Sequence, residues 1–438
     1  MSPRTPVLAI GLTLALLATA CGGAGEVEEG RTADLDVATG VTDDTVRIGT
    51  HQPLTGPAAP GYAQISAGAK AVFEYVNENG GVNGRRIEYL VEDDGYDPVR
   101  TIDVTRELVA SDEIFAMLGG LGTPTHSKVV DYLNKEGVPD LFVSSGALMW
   151  NAPEKSPLTY GYQVDYTKEA KIQGEFIADE FPDEKIGFFY QNDDVGEDSR
   201  AGLERYLGDE IVEEQRYESG VTEIGPQIAA LKKAGADVVV CACIPTYVAL
   251  AIVESERIGY RPQFVVSSIG ADTETLKGLL TEFTDGAGED AVEELLDGLI
   301  ATAYLPQVGM AEDPWIGLYR KIHEDHNKDG AFTNTTVYGM VQATLFAQVL
   351  KEAGRDLTRQ SLLDALESRE WAGPGLVPFA ASKDDHGGFA GAMVTRFHAG
   401  GEPETLREPK VTDREGGAIS GFELERPDPG ETEFFDGG

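Results

Sequence analysis

The chain has 438 residues, enough for two domains of the usual size of about 100 to 200 residues each. Its 35 basic and 75 acidic side chains give a formal charge of -40, which repels nucleic-acid phosphates and anionic lipids, so we expect no nucleic-acid partner. Because 41% of the residues are hydrophobic, there is enough apolar material for packed cores, and the composition excludes global disorder.

The N-terminus has the pattern of an export signal. Arg4 precedes an apolar run from Val7 to Leu17, which is followed by small residues and then by Cys21. Because the run is shorter than the ~18 residues that cross a bilayer, residues 1–20 are predicted to be a cleaved signal peptide. A cysteine in this place resembles a bacterial lipoprotein signal, which implies that Cys21 is acylated and anchors the chain to the cell membrane. An ordinary signal peptide with an incidental cysteine is the alternative.

Residues 21–44 follow this signal and are rich in Gly, Ala, Thr, Glu and Asp. They lack the apolar periodicity that packing requires, so we predict a flexible linker between the lipid anchor and the folded part. The folded part is therefore expected outside the cytoplasm, tethered to the membrane without a spanning helix.

From residue 45 onward, short apolar strand patterns alternate with amphipathic helix patterns, which is typical of an α/β fold with doubly wound parallel sheets. The predicted strands are 46–49, 87–91, 115–118, 141–143, 185–190, 238–242, 264–266 and 299–303. The predicted helices are 65–79, 98–110, 127–135, 168–180, 196–206, 224–233, 246–258, 314–323, 337–352 and 358–366.

The alternation is interrupted at 158–168 and again at 304–306, and we interpret both segments as crossovers between two lobes. The end of the chain is rich in Glu, Pro, Gly and Asp. We predict that residues 409–438 form an acidic mobile tail.

Cys241 and Cys243 lie two positions apart in a predicted strand, so their side chains point to the same face. A disulfide across so short a span would be strained. A metal site needs further ligands, and the neighbouring sequence supplies no Cys-x-x-Cys or histidine pair. We therefore predict two buried, unreactive thiols.

Enzyme motifs are incomplete in this sequence. The segment from Gly120 to Thr125 begins like a dinucleotide fingerprint, but Thr125 replaces the third glycine that lets the helix pack closely. A phosphate-binding loop, a zinc helix and a nucleophile elbow are missing from the sequence. We expect binding rather than catalysis, with no catalytic residue and no cofactor.

His323 and His326 share a helical spacing, and the residues from Asp325 onward begin like a calcium loop. Thr336 stands at the twelfth position, where the loop needs a bidentate carboxylate, so we predict a polar turn and no metal site. The acidic pairs at 93–94, 193–194 and 384–385 are weak candidates for acid/base work, because neighbours on a strand end point in different directions. A secreted metal-dependent hydrolase is kept as an alternative.

Four segments in this order carry a family resemblance: Val46-Arg-Ile-Gly-Thr-His-Gln-Pro-Leu-Thr-Gly-Pro57, Asn77-Glu-Asn-Gly-Gly-Val-Asn-Gly-Arg85, Glu92-Asp-Asp-Gly-Tyr-Asp-Pro98 and Leu118-Gly-Gly120. Together they resemble the branched-chain amino-acid-type substrate-binding proteins of ABC transporters, which have the type I periplasmic binding fold. A looser likeness extends over roughly residues 45–399.

The resemblance implies two doubly wound α/β lobes joined by a hinge of three segments, which close around a ligand. Lobe I is expected to comprise 45–164 and 306–375, and lobe II 165–305 and 376–408. The implied function is that of a monomeric receptor, which delivers a small polar molecule (an amino acid or a related acid or amide) to an ABC permease. A ligand-sensing receptor that acts on a signalling partner is the alternative.

Binding residues follow from the same resemblance, because ligands in such folds lie at the carboxyl ends of the parallel strands. The positions implied for the first lobe are Tyr62, Gly120, Thr123, Ser144, Ser145 and Ala147. Those implied for the second lobe are Asp194, Thr246, Ser268 and Asp272.

The second lobe departs from the amino-acid binders. Ser268 stands where a glutamate would contact the α-ammonium of an amino acid, and Val195 stands where the family commonly has a tyrosine. Asp194 and Asp272 are the candidate replacements for the glutamate. Because a buried ammonium without a carboxylate is costly, an acid or amide that lacks the ammonium is an equal alternative to an amino acid.

Overall fold

The computed structural model describes residues 34–399, 402–422 and 426–431. Cys21 and residues 1–20, predicted to be the lipid anchor and signal, lie outside the described residues, as does most of the predicted linker. No helix in the described ranges is long and apolar enough to cross a membrane.

The strands, in chain order, are β1 (Thr45–Gln52), β2 (Arg86–Asp93), β3 (Ala116–Leu118), β4 (Asp140–Val143), β5 (Thr159–Gly161), β6 (Ile186–Gln191), β7 (Ile211–Tyr217), β8 (Val238–Ala242), β9 (Gln263–Val266), β10 (Ile300–Ala303), β11 (Gly391–Arg396), β12 (Glu404–Val411) and β13 (Ser420–Gly421).

The α-helices, in chain order, are α1 (Ala59–Glu78), α2 (Pro98–Ala110), α3 (Thr123–His126), α4 (Val130–Lys135), α5 (Tyr166–Glu180), α6 (Asp194–Leu203), α7 (Gly225–Ala234), α8 (Pro245–Arg257), α9 (Thr273–Phe283), α10 (Glu289–Leu296), α11 (Pro314–His326), α12 (Asn334–Ala353) and α13 (Arg359–Leu366).

The first sheet has five parallel strands in the order β2-β1-β3-β4-β5. The two inner strands β3 and β4 consist entirely of buried residues, as expected for strands that are covered on both faces. The strand order changes direction at β1, which has β2 on one side and β3 on the other. The loops that follow β1 and β3 therefore begin at the same end of the sheet and diverge, which opens a crevice between them.

The second sheet has the order β13-β12-β11-β10-β9-β8-β6-β7. Strands β6 to β10 are parallel, whereas β11, β12 and β13 add to the β10 edge as antiparallel strands. The prediction of an α/β fold with parallel sheets in two lobes is confirmed.

The chain passes between the two sheets three times. The first passage lies between β5 and α5, the second between β10 and α11, and the third between α13 and β11. The interruptions predicted at 158–168 and 304–306 fall on the first two passages. Backbone hydrogen bonds join the third passage to the other two, from the N–H of Leu376 to Tyr304 at 2.9 Å and from the N–H of Phe389 to Tyr162 at 3.1 Å, which is the arrangement of a hinge.

Local sequence explains where the helices begin. Asp97 accepts a hydrogen bond from the backbone N–H of Val99, and proline occupies the first position of α2. Thr333 starts α12 with a capping box. Helices α1 and α12 approach so closely that a Cβ at Gly339 would lie 1.8 Å from the carbonyl oxygen of Ile65, so only glycine is tolerated there.

Elements that the sequence patterns did not reveal lie mainly at sheet edges. Strand β7 is an edge strand whose residues are mostly half-exposed and charged, so it lacks an apolar run. Strands β5, β11, β12 and β13 and helices α9 and α10 were also not predicted.

The segment expected to be a tail from residue 409 begins inside β12 and includes β13. The buried ammonium of Lys171 on α5 donates hydrogen bonds to the carbonyl oxygens of Asp413, Glu415 and Gly417, at 2.9, 3.0 and 3.2 Å. A buried lysine requires such partners. Residues 413–417 therefore pack against α5 and are part of the folded structure.

Cys241 and Cys243 are free and buried, as predicted. The Sγ of Cys243 lies 3.3 Å from the carbonyl oxygen of Phe189. Burial raises the pKa of the Cys243 thiol, so it stays protonated and unreactive at neutral pH.

Candidate functional site

A cavity of about 90 Å³ lies where the carboxyl ends of the two sheets face each other. On the first-sheet side, residues that follow β1, β2, β3 and β4 contribute to it, and on the second-sheet side those that follow β6, β8, β9 and β10. One water needs about 10 to 15 Å³ of such space, so the cavity has room for a small organic molecule.

Twenty-four described residues line the cavity: Tyr62, Ile65, Tyr96, Leu121, Gly122, Thr123, Ser144, Gln163, Tyr166, Val195, Ile244, Ser268, Ile269, Ala271, Asp272, Thr302, Ala303, Tyr304, Leu305, Pro306, Gln307, Asn334, Thr335 and Tyr338. Among them, Asp272 is the one carboxylate, and none is a lysine, arginine or histidine. The surface that a ligand meets therefore consists of aromatic rings, hydroxyls, amides and aliphatic groups.

Five tyrosines dominate this lining: Tyr62, Tyr96, Tyr166, Tyr304 and Tyr338. Burial raises the pKa of every one of them, and that of Tyr166 to about 12. Their hydroxyls are therefore neutral at physiological pH and act as hydrogen-bond donors and acceptors rather than as charges. The rings supply flat apolar walls.

Three polar atoms of the lining have no hydrogen-bond partner. They are Oε1 of Gln163, Oε1 of Gln307 and the hydroxyl of Tyr338. Buried polar groups are nearly always paired in proteins, because an unmade hydrogen bond costs roughly 1 to 3 kcal/mol. These three atoms can therefore form hydrogen bonds with a molecule or a water in the cavity.

The two sides of the cavity are joined by direct hydrogen bonds. The hydroxyl of Tyr62 donates to the carbonyl oxygen of Ile269 at 2.7 Å, and the hydroxyl of Thr246 donates to that of Pro57 at 3.0 Å. In each pair one residue belongs to the first-sheet side and the other to the second-sheet side. The structure therefore shows the cleft closed.

Two carboxylates also bridge the cleft. Asp272 caps α9 by accepting from the N–H of Thr275 at 2.7 Å, and its other oxygen accepts from the N–H of Thr335 at 3.0 Å. Asp198 on α6 accepts from the N–H of Leu148 at 2.8 Å. Burial raises the pKa of both carboxyls, that of Asp198 to about 6.

Five of the ten residues that the sequence predicted for binding line the cavity: Tyr62, Thr123, Ser144, Ser268 and Asp272. They come from four separate segments that the fold brings together. Tyr62 and Asp272 also hold the cleft closed through the hydrogen bonds described above.

The other five are not among the lining residues: Gly120, Ser145, Ala147, Asp194 and Thr246. Ser145 lies behind Thr123, with 2.7 Å between the two hydroxyl oxygens, and its hydroxyl also accepts from the N–H of Ala147 at 3.3 Å. Thr246 is engaged with Pro57. Asp194 is half-buried in the first turn of α6, where its neighbour Val195 faces the cavity instead.

The structure brings to the cavity residues that sequence reasoning did not name, above all Tyr96, Gln163, Tyr304, Gln307 and Tyr338. Gln163, Tyr304 and Gln307 come from the crossovers. The tyrosines of the first crossover are visible in the sequence, and they are the signal that could have placed this segment at the site.

The residues of the metal-site alternative lie elsewhere. His323 is buried, with Nε2 3.1 Å from the carbonyl oxygen of Gly330, while the His326 ring lies 3.9 to 4.0 Å from carboxylates of Glu74 and Glu78. In the described ranges, no group of three or more His, Cys, Asp or Glu side chains is placed to hold a metal ion. Asp193 caps α6 and Asp93 binds the loop at Thr55, so both have structural partners.

A family model described as periplasmic binding protein matches residues 45–402. A similar relative is the leucine-, isoleucine-, valine-, threonine-, and alanine-binding protein of Pseudomonas aeruginosa, 27% identical over 201 residues, which are 44% of this chain and 52% of that protein. The chain thus spans about half the length of such curated relatives.

Solved structures share the fold over most of the chain. A branched chain amino acid ABC transporter protein from Thermus thermophilus with bound valine is 18% identical, with a TM-score of 0.72 over 85% of this chain and 98% of that one. A fatty acid ABC transporter substrate-binding protein from Thermomonospora curvata is 20% identical, with a TM-score of 0.74 over 86% and 95%. At these identities the likeness shows the fold alone.

Proposed function

Because this chain belongs to the periplasmic binding protein family, we propose that it is an extracytoplasmic receptor that delivers a small polar molecule to an ABC importer by hinge closure. The observation that carries the proposal is the cavity between the two sheets, which is lined from both sides and contains three unpartnered polar atoms. The receptor performs no covalent chemistry in this proposal. The acylated Cys21 predicted from the sequence would keep it at the membrane, near its permease.

Closure and binding are coupled in this proposal. A ligand shifts the hinge only by the difference between its affinities for the closed and the open form. The bridges made by Tyr62, Thr246 and Asp272 join the protein's own groups across the cleft, so they favour the closed form and lower the free energy that the ligand must contribute. Contacts between the ligand and Gln163, Gln307 and Tyr338 would supply the rest of the free energy that favours the closed form.

The cavity favours a ligand without an α-ammonium group. Both oxygens of Asp272 already accept backbone hydrogen bonds, and Asp194 does not line the cavity. An ammonium would therefore have to share the one carboxylate of the lining with the two backbone N–H groups that it already accepts, which makes the pairing less favourable. A small amide or carboxylic acid is a better match, because hydroxyls, amides and backbone N–H groups suffice to bind it.

A matched series of compounds tests both parts of the proposal. Valine and leucine would be compared with the corresponding branched acids and amides that lack the ammonium, using thermal unfolding of the chain from Gly22 onward. A ligand at 100 times its dissociation constant stabilises the folded state by about 2.7 kcal/mol. We expect the amides or acids to raise the midpoint and the amino acids to leave it unchanged.

The two parts can fail separately. A shift with the amino acids alone would contradict the ligand class but support a receptor for amino acids. No shift with any member of the series, at millimolar concentration, would contradict the proposed receptor for small acids and amides.

A further inference from the structure

A chain of four buried ionisable side chains runs beneath the loop that follows β3. Asp94 Oδ2 lies 2.8 Å from His51 Nδ1, His51 Nε2 lies 2.8 Å from His126 Nδ1, and His126 Nε2 lies 2.8 Å from Asp140 Oδ2. All four side chains are fully buried. We refer to Asp94, His51, His126 and Asp140 as the proton chain.

The aspartate ends of the proton chain act as acceptors. Asp94 accepts the backbone N–H of Tyr96 on Oδ1 at 2.9 Å, and the hydroxyl of Thr101 lies 2.9 Å from both Asp94 Oδ2 and the carbonyl oxygen of Asp97. At the other end, Asn134 donates to the hydroxyl of Thr159, and that hydroxyl donates to Asp140 Oδ2 at 2.9 Å. The ring nitrogens that face the two carboxylates therefore carry protons.

The nitrogens between the two rings then require a proton of their own. Each neutral imidazole carries one proton, and both of these are already engaged with the carboxylates. Without a third proton, two lone pairs would face each other at the 2.8 Å that separates His51 Nε2 from His126 Nδ1. If one of the two carboxyl groups held the third proton instead of a ring, the four side chains would still hold three protons in total.

We propose that the proton chain holds three protons, one more than two neutral histidines supply, and that the proton shared by His51 and His126 keeps the loop after β3 in its binding position. The second half of this proposal rests on the proposed function. The histidines are positioning residues, since neither lines the cavity.

Contacts between the proton chain and this loop are direct. A Cβ on Gly120 would lie 2.4 Å from His126 Nδ1 and 2.8 Å from His51 Nε2, so the glycine backbone covers the shared proton. The backbone N–H of His126 donates to the carbonyl oxygen of Gly122 at 3.0 Å, and Gly122 and Thr123 line the cavity. Gly120, which the resemblance implied as a ligand contact, thus has a packing role.

The groups that act electrostatically on the rings belong to the proton chain itself. Burial lowers the pKa of His51 and the nearby His126 adds to this effect, while Asp94 and Asp140 oppose it. The ring of Trp150 packs edge-on against His126, with 5.3 Å between centroids. A fourth proton, which would charge both rings, is therefore disfavoured.

The lowered pKa of His51 predicts one pH dependence. As the pH falls below the ordinary histidine pKa of about 6.5, the unfolded His51 takes up a proton more easily than the folded one does, so acid should reduce stability.

Nitrogen NMR of the full chain labelled with ¹⁵N-histidine tests the count at pH 7. We expect a strongly downfield proton coupled to both His51 Nε2 and His126 Nδ1, with three protonated ring nitrogens when both aspartates are ionised and two when a carboxyl group holds the third proton. This resonance should persist in His323→Gln, a control that removes a buried histidine elsewhere, and should vanish in His51→Asn. Two unprotonated facing nitrogens in the wild type would overturn the proposal, and this result does not require any variant to fold.

The positioning role has its own readout. As the pH rises, the backbone amide signals of Gly122 and Thr123 should move with the same midpoint as the loss of the shared proton. Signals that stay in place while the proton is lost would overturn the positioning role. Neither measurement uses a ligand, so both outcomes are independent of the receptor proposal.

Discussion

Two buried polar regions of the first lobe, the proton chain and the wall of the cavity, differ in how fully their side chains hydrogen-bond to one another. In the proton chain, three hydrogen bonds of 2.8 Å link Asp94 through the two rings to Asp140, and one atom, Asp140 Oδ1, lacks a partner. Around the cavity, Gln163 and Tyr338 are slightly less buried, and Oε1 of Gln163 and the hydroxyl of Tyr338 lack a partner. Mutual satisfaction makes a region rigid, whereas unpaired groups hold binding energy for a molecule that is not part of the protein. Substitutions in the first region should therefore reduce stability, and those in the second should reduce binding.

The largest effect is expected from removing a member of the proton chain. His126→Leu leaves Asp140 as a fully buried carboxylate without its charged or polar ring partner, which should cost about 3 to 5 kcal/mol of unfolding free energy. Urea denaturation measures the loss. His326→Leu is the control, because that ring is 3.9 to 4.0 Å from its nearest carboxylates, and it should cost less than about 1 kcal/mol. Equal losses in the two variants would contradict the comparison.

A substitution next to the proton chain should have the next largest effect. Gly120→Ala places a methyl group 2.4 Å from His126 Nδ1, and such overpacking should cost about 1 to 3 kcal/mol. Gly278→Ala is the matched control, since Gly278 lies within α9 and a Cβ there has no neighbour within 4 Å. It should instead stabilise the protein by about 0.5 to 1 kcal/mol. A neutral Gly120→Ala would show that the loop moves away from the rings easily.

Two tyrosine hydroxyls test the same difference, one that is hydrogen-bonded outside the cavity and one that is unpartnered in the cavity wall. The hydroxyl of Tyr319 lies 3.0 Å from that of Thr344 outside the cavity, so Tyr319→Phe should cost about 1 kcal/mol. The hydroxyl of Tyr338 has no partner, so Tyr338→Phe should leave stability within about 0.5 kcal/mol of the wild type. Thermal unfolding without ligand measures both. A Tyr338→Phe variant that loses as much stability as Tyr319→Phe would mean that this hydroxyl already has a partner.

The smallest effect concerns closure. The pKa of Asp198 is raised to about 6 by burial in the closed form, and opening returns the carboxyl to water and toward its ordinary value of about 4. Between these two values the closed form binds more protons, so acid favours closure. Affinity for the best compound of the series should therefore rise several-fold from pH 7 to pH 5. Calorimetric titration should show that Asp198→Asn abolishes this rise in affinity. A rise that persists in the variant would mean that another group causes it.

The sequence predicted the parts of the fold that have a strong local signal. Strand β8 is an apolar run because both of its faces are covered, and its predicted and observed bounds agree. Strand β7 was missed because an edge strand carries charges on its exposed face. Helix α2 was predicted from its proline and apolar spacing, whereas α9 and α10 follow one another without a strand between them and break the expected alternation.

The site was predictable only where its residues follow strands. Thr123, Ser144 and Ser268 come directly after strand patterns, so their place at the carboxyl edge follows from the fold class. Tyr338 is the fifth residue of the largely buried, 20-residue helix α12, and which face of that helix meets the cavity depends on how α12 packs on α1. The pairing of His51 with His126, 75 positions apart, likewise depends on β1 and α3 meeting in the folded protein.

A crystal structure of the chain grown with the compound that gives the largest thermal shift tests the central claim most directly. We predict that the compound occupies the cavity between the sheets and hydrogen-bonds to at least one of Gln163, Gln307 and Tyr338, while the proton chain is unchanged. A compound bound at another place, or one in the cavity that leaves all three groups without a partner, would contradict the account.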